Sequence, residues 1–260
     1  MKTLRLNDIS IHVRDEGPRD ARVLMFGNSL GTDLRVWEFL LQELPPDIRI
    51  VRFDKRGHGL SDCPPAPYDM AALTDDAEAV ADALQLRDVT FVGLSIGGLI
   101  GQGLAARRPD LIKALVLMDT GAKIGTPQMW QERIDALRAD GLGAMTPAIM
   151  ERWFTAAFRQ SDAISPWRNM VERTPLEGYI GCSAAISGTD LSAQTKSIAC
   201  PVLAVVGAED AATSPELMRQ TAELCGADFH IIPDAGHLPC VEQPRATAEL
   251  INAFLERTKS

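Results

Sequence analysis

The 260-residue sequence is poor in cysteine and has fewer positive charges than negative ones. Its five cysteines are an odd number and form no Cys-x-x-Cys pair, which disfavours a disulfide framework and a zinc site. Lys and Arg total 26 against 35 Asp and Glu, so the basic surface that nucleic acid or an anionic membrane requires is missing. These absences predict a globular protein of a reducing cytoplasm that binds neither nucleic acid nor membrane.

Long apolar runs are also missing. The most apolar stretch, residues 91–104, is too short to span a bilayer and contains five glycines. The first residues include a cation but no apolar segment follows it, which argues against a secretory signal peptide. We therefore expect a soluble, cytoplasmic protein, and the sequence does not predict its oligomeric state.

Short apolar runs bounded by turn residues alternate with longer mixed segments along most of the chain. The runs predict buried strands at residues 23–26, 48–53, 89–94, 114–118, 201–206 and 229–232. The mixed segments predict helices at residues 70–86, 96–107 and 245–257. Strands that alternate with helices indicate an α/β fold with a mostly parallel central sheet covered on both faces.

Residues 121–190 break this pattern, since they contain no convincing strand. Residues 128–139 and 147–158 have the spacing of amphipathic helices. We therefore predict a core domain formed by residues 1–120 and 191–260, with residues 121–190 inserted as a helical cap. The cap holds Trp130, Trp153 and Trp167, and each of them suits a small core of the cap at least as well as a ligand contact.

The strongest local motif is Gly93-Leu94-Ser95-Ile96-Gly97, which follows a predicted strand and begins a predicted helix. A G-x-S-x-G motif in that position is a nucleophile elbow, in which small residues allow a sharp turn that presents the serine hydroxyl. A serine that only caps a helix would not require the flanking glycines. Ser95 is therefore the candidate nucleophile.

A serine hydroxyl needs a base to remove its proton, and the chain has four histidines. We assign His237 as the base because it follows the last predicted strand, in the chain order Ser, acid, His. His58 also follows a strand, but its glycine-rich surroundings indicate a tight turn beside the elbow. We expect His230 to be structural within its strand and His12 to be solvated.

The orienting acid is assigned to Asp210, which follows the predicted strand 201–206. Glu209 is adjacent and would point elsewhere on the turn, whereas Asp119, after the preceding strand, is a legitimate alternative acid. For the oxyanion, the backbone N–H of Ile96 is one expected donor. The N–H of Leu30, in the loop after strand 23–26, is the second.

These motifs together resemble the α/β-hydrolase superfamily along essentially the whole chain. The elbow, residues 54–61 (Asp-Lys-Arg-Gly-His-Gly-Leu-Ser), residues 207–210 and Gly236-His237 occur in the order that the superfamily has. Ser95 distinguishes the chain from the haloalkane dehalogenases and epoxide hydrolases, which have Asp at the nucleophile position.

Narrower features are similar to those of the 3-oxoadipate enol-lactonases of the β-ketoadipate pathway. Where most relatives carry His-Gly, residues 28–33 read Asn-Ser-Leu-Gly-Thr-Asp, followed by Trp37; residues 152–154, 158–159 and 178–182 also match. The resemblance implies hydrolysis of 3-oxoadipate enol-lactone, a small anionic lactone, through an acyl-enzyme. It requires neither a metal nor an organic cofactor.

The carboxylate of such a substrate calls for a cation in the pocket, and arginine binds carboxylates bidentately. Arg133 lies one helical turn after Trp130, so the two share a face. With Trp153 they are the candidate substrate-binding residues, although a solvated surface role is the commoner one for an arginine. The alternative functions are another carboxylesterase-like or carbon–carbon-bond hydrolase, a cofactor-free perhydrolase activity, or a receptor that has lost catalysis.

Overall fold

The computed structural model describes residues 2–258, which form one eight-stranded sheet flanked by helices. The strands are β1 (Lys2–Leu6), β2 (Ile9–Glu16), β3 (Val23–Gly27), β4 (Arg49–Phe53), β5 (Val89–Leu94), β6 (Ile112–Met118), β7 (Val202–Gly207) and β8 (Asp228–Ile232). Their order in the sheet is β1-β2-β4-β3-β5-β6-β7-β8. Only the pairs β1–β2 and β2–β4 are antiparallel, so the expected α/β fold with a mostly parallel sheet is confirmed.

The helices connect these strands and cover the sheet. They are α1 (Glu38–Leu41), α2 (Met70–Ala83), α3 (Ile96–Arg107), α4 (Pro127–Trp153), α5 (Ala156–Arg159), α6 (Ser165–Glu172), α7 (Leu176–Ser187), α8 (Ser192–Lys196), α9 (Pro215–Cys225), α10 (Pro239–Glu242) and α11 (Pro244–Arg257). α3 packs on β3, β5 and β6 and contacts α2 and α8, whereas α11 contacts β7, α1 and α10. No helix within residues 2–258 has the length and apolarity needed to cross a membrane.

The six predicted strands all occur, because β3, β5 and β7 are buried along their whole length and therefore read as continuous apolar runs. The antiparallel strands β1 and β2 were not among them. One expectation there is wrong: His12, in β2, is buried rather than solvated. Its Nδ1 lies 2.8 Å from Oδ2 of the buried Asp54, and this partner offsets the cost of removing the imidazole from water.

The segment between β6 and β7 is helical throughout its regular structure, and α4 packs against α6 and α7. The predicted helix 128–139 lies within α4. The predicted helix 147–158 is wrong in its bounds: α4 is broken at Gly141 (φ 77°), continues through Pro147 and ends at Trp153. Phe154 has extended backbone and ends the helix, and the short α5 follows.

Strand register brings the functional loops together at one edge of the sheet. Gly27 at the end of β3 pairs with Gly93 of β5, and Leu94 at the end of β5 pairs with Met118 of β6. Further along, the ends of β7 and β8 meet, with Gly207 beside Ile232. The chain reverses its direction of strand addition between β3 and β5, and crevices at such switch points are where open α/β sheets bind ligands.

Candidate active site

Ser95 occupies the turn between β5 and α3 in a strained conformation. Its φ of 57° and ψ of −119° lie outside the regions that most residues adopt, as a nucleophile elbow requires. The turn is so tight that a Cβ on Gly97 would lie 2.0 Å from the carbonyl oxygen of Gly27, and one on Gly93 would lie 2.4 Å from that of Gly97. The glycines around Ser95 are therefore required by backbone contact, and not only by flexibility.

His237 and Asp210 form a buried pair on the loops after β8 and β7. His237 Nδ1 lies 2.9 Å from Asp210 Oδ2, and both side chains are almost completely buried. The other ring nitrogen of His237, Nε2, remains available for a hydrogen bond to a second group. Ser95 Oγ makes no hydrogen bond to it within the described residues, and such contacts often tighten only when substrate binds.

Asp210 accepts three hydrogen bonds besides the one from His237. The backbone N–H groups of Ala212 and Thr213 donate to Oδ1 at 2.7 and 2.9 Å, and the Thr213 hydroxyl donates to Oδ2 at 2.6 Å. Burial alone would raise the pKa of Asp210, but the charge and hydrogen bond of His237, together with the Thr213 donors, lower it below its ordinary value. Asp210 is thus built to stay ionised beside an imidazole.

The two rival acids differ from Asp210. Glu209 is exposed to solvent. Asp119 is fully buried at the end of β6, where its Oδ1 accepts a 2.9 Å hydrogen bond from the N–H of Gly207. One of its carboxylate oxygens lies within 4.8 Å of an Asp210 oxygen and of a His237 ring nitrogen, so these three side chains form one cluster of residue types that can also bind a metal ion.

The loop that carries His237 is fixed by the helical segment. The N–H of His237 donates to the carbonyl oxygen of Trp153 at 2.8 Å. Glu242 bridges the same two elements, since its Oε2 accepts from the N–H of Gly236 and its Oε1 from the N–H and hydroxyl of Thr155. The end of α4 therefore holds the histidine in place.

Residues 28–32 form the loop after β3, and their backbone is held by buried side chains from the loop after β4. Lys55 Nζ donates to the carbonyl oxygens of Ser29 and Thr32 at 2.6 and 3.0 Å. The N–H of Gly31 donates to His58 Nε2 at 2.9 Å. The N–H groups of Leu30 and Ile96 make no hydrogen bond within residues 2–258, which leaves both donors unpaired.

Lys55 and His58 are both fully buried, and burial sets their charge states. Burial lowers the pKa of Lys55 to about 8, with nearby Cys182, Asp54 and Asp33 opposing the shift. Burial and the charge of Lys55 lower the pKa of His58 well below its ordinary value. His58 is therefore neutral and accepts the hydrogen bond of Gly31.

The side chain of Asn28 anchors the start of the same loop. Its amide donates to the carbonyl oxygen of Phe53 at 2.8 Å and accepts from the indole N–H of Trp37 at 2.7 Å. All three residues are buried. Asn28 and Trp37, which both belong to the matching sequence pattern, are therefore hydrogen-bonded to each other beneath the loop.

The predicted substrate-binding residues lie in the helical segment close to this loop. Arg133 Nη2 donates to the hydroxyl of Tyr179 at 2.7 Å, and its guanidinium carbon lies 5.4 Å from the Trp130 ring centroid. A Cβ on Gly31 would lie 2.9 Å from the Tyr179 ring and 3.4 Å from the Trp153 ring. Tyr179 and Trp153 therefore touch the backbone beside Leu30, and Tyr179 connects that point to Arg133.

A cavity of about 510 Å³ lies elsewhere between the sheet and α6, and neither Ser95 nor His237 lines it. It contains the His12–Asp54 pair, and its Arg35 is bound to Asp33 at 2.6 Å. The lining also includes Arg14 and Arg173, so side chains of both charges face this cavity.

Sequence reasoning missed Lys55, Thr213, Tyr179 and Glu242, each of which fixes a loop or a side chain of the site. Lys55 lies within the motif 54–61 and Thr213 lies three residues after Asp210, so their positions after β4 and β7 were a usable signal. Tyr179 lies within the matching residues 178–182, but its contacts cross long sequence separations, and Glu242 carries no local signal.

Comparisons with known proteins support this fold. The model of the alpha/beta hydrolase family matches residues 23–250. The chain is 33% identical to 3-oxoadipate enol-lactonase 2 of Acinetobacter baylyi over 98% of this chain and 96% of that protein. It also resembles the crystal structure of the enol-lactonase from Burkholderia xenovorans LB400, with a TM-score of 0.94, 35% identity and coverage of 98% of this chain and 100% of that one.

A solved thermophilic esterase from Thermogutta terrifontis, with malate bound, is also similar. It has a TM-score of 0.91 and 26% identity, and the match covers 100% of this chain and 99% of that one. The family match spans most of the chain and includes Ser95, Asp210 and His237. The chain therefore belongs to the alpha/beta hydrolase family.

Proposed function

We propose that this protein hydrolyses 3-oxoadipate enol-lactone to 3-oxoadipate through a Ser95–His237–Asp210 triad and an acyl-enzyme. The buried His237–Asp210 pair at the same sheet edge as Ser95 carries the reaction type. The choice of lactone rests on the resemblance to two enol-lactonases at 33 and 35% identity over nearly the whole chain. In this proposal the substrate is a small anionic lactone in the cytoplasm, within aromatic-compound catabolism.

The proposed reaction begins when Ser95 Oγ attacks the lactone carbonyl while His237 takes its proton. The resulting oxyanion is bound by the unpaired N–H groups of Leu30 and Ile96. When the carbonyl re-forms, the bond from the carbonyl carbon to the ring oxygen breaks, and His237 returns the proton to that enol oxygen. The enol becomes a ketone, and water activated by His237 then releases the product from Ser95.

Asp210 stabilises the imidazolium that forms in each half of this cycle without taking the proton itself. Its low pKa and four hydrogen bonds suit that role. The helical segment contributes indirectly, because Trp153 fixes the backbone of His237.

The free carboxylate of the substrate is placed near Arg133. Neither Arg133 nor Arg152 has a carboxylate within 4.0 Å among residues 2–258, and Arg133 Nε is buried with no partner there. Partial burial and the charge of Arg133 lower the pKa of Arg152, so the two cations lie near each other. An anion between them and the rings of Trp130, Trp153 and Tyr179 would relieve this repulsion.

The deciding experiment is steady-state turnover of freshly generated 3-oxoadipate enol-lactone, with Ser95→Ala as the control. We expect saturable hydrolysis that the variant loses, and a clear preference for the lactone over simple aryl esters. Ester preference would contradict the substrate, whereas hydrolysis by Ser95→Ala would contradict the nucleophile.

The second candidate is a general carboxylesterase that uses the same residues. The esterase from Thermogutta terrifontis favours it, because its fold matches this chain almost completely at 26% identity. The same panel of substrates separates the two functions.

A further inference from the structure

Asp119 is a buried carboxyl group for which the proposed triad has no use. It lies at the end of β6, between the strand ends that carry Ser95 and Asp210, and its backbone has a positive φ of 45°. Its Oδ1 accepts from the N–H of Gly207, the residue at which the loop to Asp210 begins. Its Oδ2 is fully buried and has no donor within the described residues.

Two carboxyl groups this close together in a buried site cannot both ionise without a large cost. Asp119 and Asp210 compete unequally for the negative charge. Asp210 accepts two backbone N–H groups, a hydroxyl and the imidazole, whereas Asp119 accepts a single N–H. The charge therefore belongs on Asp210, and Asp119 Oδ2 is the oxygen left to hold a proton.

Electrostatics supports this division. Burial, followed by the charge of Asp210, raises the pKa of Asp119 well above its ordinary value, and the Gly207 N–H opposes the shift only partly. The titratable groups around Asp119 are Asp210, His237, Glu242 and Cys240. Only His237 among them can carry a positive charge, and its Nδ1 is bonded to Asp210.

We infer that Asp119 is a neutral positioning residue that donates its proton towards Asp210 and accepts from Gly207, so that His237 faces one negative charge instead of two. This inference rests on the proposed triad. A neutral Asp119 can hold the loop that carries Asp210 through both Asp119 oxygens, and it leaves the basicity of His237 unchanged. An ionised Asp119 would repel Asp210 and make the imidazole a stronger base.

Asp119→Asn reproduces the neutral carboxyl group, since its oxygen can accept from Gly207 and its NH₂ can donate towards Asp210. Asn also tolerates the positive φ. On an activated aryl ester we expect kcat/KM to fall less than about tenfold in Asp119→Asn, and about 10- to 100-fold in Asp119→Ala, mainly through kcat. If both variants matched the wild type, or if Asp119→Asn lost as much as Asp210→Asn, the inference would be wrong.

Stability against pH provides a readout that does not depend on turnover. A carboxyl group with a raised native pKa keeps a proton that the unfolded chain releases, so its contribution to stability is lost as pH rises above the unfolded value. Asn does not titrate. Above the pKa of an unfolded aspartate we therefore expect the folding equilibrium constant of Asp119→Asn to rise with pH relative to the wild type, by at most about tenfold per pH unit.

If the ratio of the folding equilibrium constants of Asp119→Asn and the wild type did not change with pH, Asp119 would be ionised in the native protein and the inference would be wrong. Activity that a chelator removes and a divalent ion restores would overturn it too, because the Asp119, Asp210 and His237 cluster would then be a metal site. Ester hydrolysis that survives in Ser95→Ala would refute the triad instead, and the stability titration would still report the charge of Asp119.

Discussion

The carboxyl edge of the sheet and the helical segment between β6 and β7 both supply residues to the candidate site, but they position them differently. At the sheet edge, strand register places Ser95, Asp119 and Asp210 after successive strands, and the backbone N–H groups of Ser95 and Asp119 each donate to the next strand. In the helical segment, Arg133 is held by Tyr179, 46 residues away in sequence, through side-chain contacts alone. The first kind of placement follows from topology, and the second follows from packing.

Several contacts join the two regions. The carbonyl oxygen of Trp153 accepts from the N–H of His237, and the rings of Tyr179 and Trp153 pack on Gly31. In the proposed function, the sheet edge supplies the groups that react with the substrate, and the helical segment supplies the groups that bind it. The predictions below test how independent these two sets of residues are.

The largest effect is expected at the edge. Asp210→Asn should lower kcat by about 10⁴-fold, because the amide offers His237 the wrong hydrogen-bonding partner and no charge. Glu209→Gln, an exposed neighbour on the same loop, is the matched control and should stay near the wild type. The measurement is kcat for both an enol-lactone and an aryl ester, which should fall together because the triad acts on either substrate.

Comparable activity in the two variants would mean that the acid is not Asp210. If Asp119→Asn were then the inactive protein, the acid would have to be placed after β6 instead of β7.

A smaller and substrate-dependent effect is expected in the helical segment. Arg133→Ala should raise KM for the lactone about 10- to 100-fold through loss of a charged hydrogen-bonding partner, while KM for an uncharged ester changes little. Arg138→Ala, also on α4 but exposed, is the control. An unchanged KM for the lactone in Arg133→Ala would remove Arg133 from the substrate site.

The same contrast explains which parts of the molecule the sequence predicted. Strands β3 to β8 and the positions of Ser95, Asp210 and His237 follow from apolar runs and from the turns after them, since a strand end fixes where its loop emerges. His12 was wrongly expected in solvent because its partner Asp54 is 42 residues away, and alternation in an antiparallel strand does not reveal such a pair. In α4, Gly141 and Pro147 interrupt the periodicity on which the predicted bounds depended.

The sequence identified candidate residues in the helical segment, but it did not predict what surrounds them. Trp130, Arg133 and Trp153 share α4, yet their surroundings are decided by α6 and α7, whose packing no local pattern specifies. Tyr179 is the clearest case, because it contacts both Arg133 and Gly31, which are far from it in the sequence.

Gly31 offers the finest test of how the two regions are coupled. Gly31→Ala adds a methyl group 2.9 Å from the Tyr179 ring at a φ of +75°, whereas Gly226→Ala meets the same backbone strain at φ +63° with nothing within 4 Å. Both should lose about 1 kcal/mol of stability from strain. Only Gly31→Ala should also lower kcat, by about tenfold, because the loop carrying Leu30 must shift away from the oxyanion. Equal activities, measured beside equal unfolding free energies, would show that the helical segment can move without disturbing the loop.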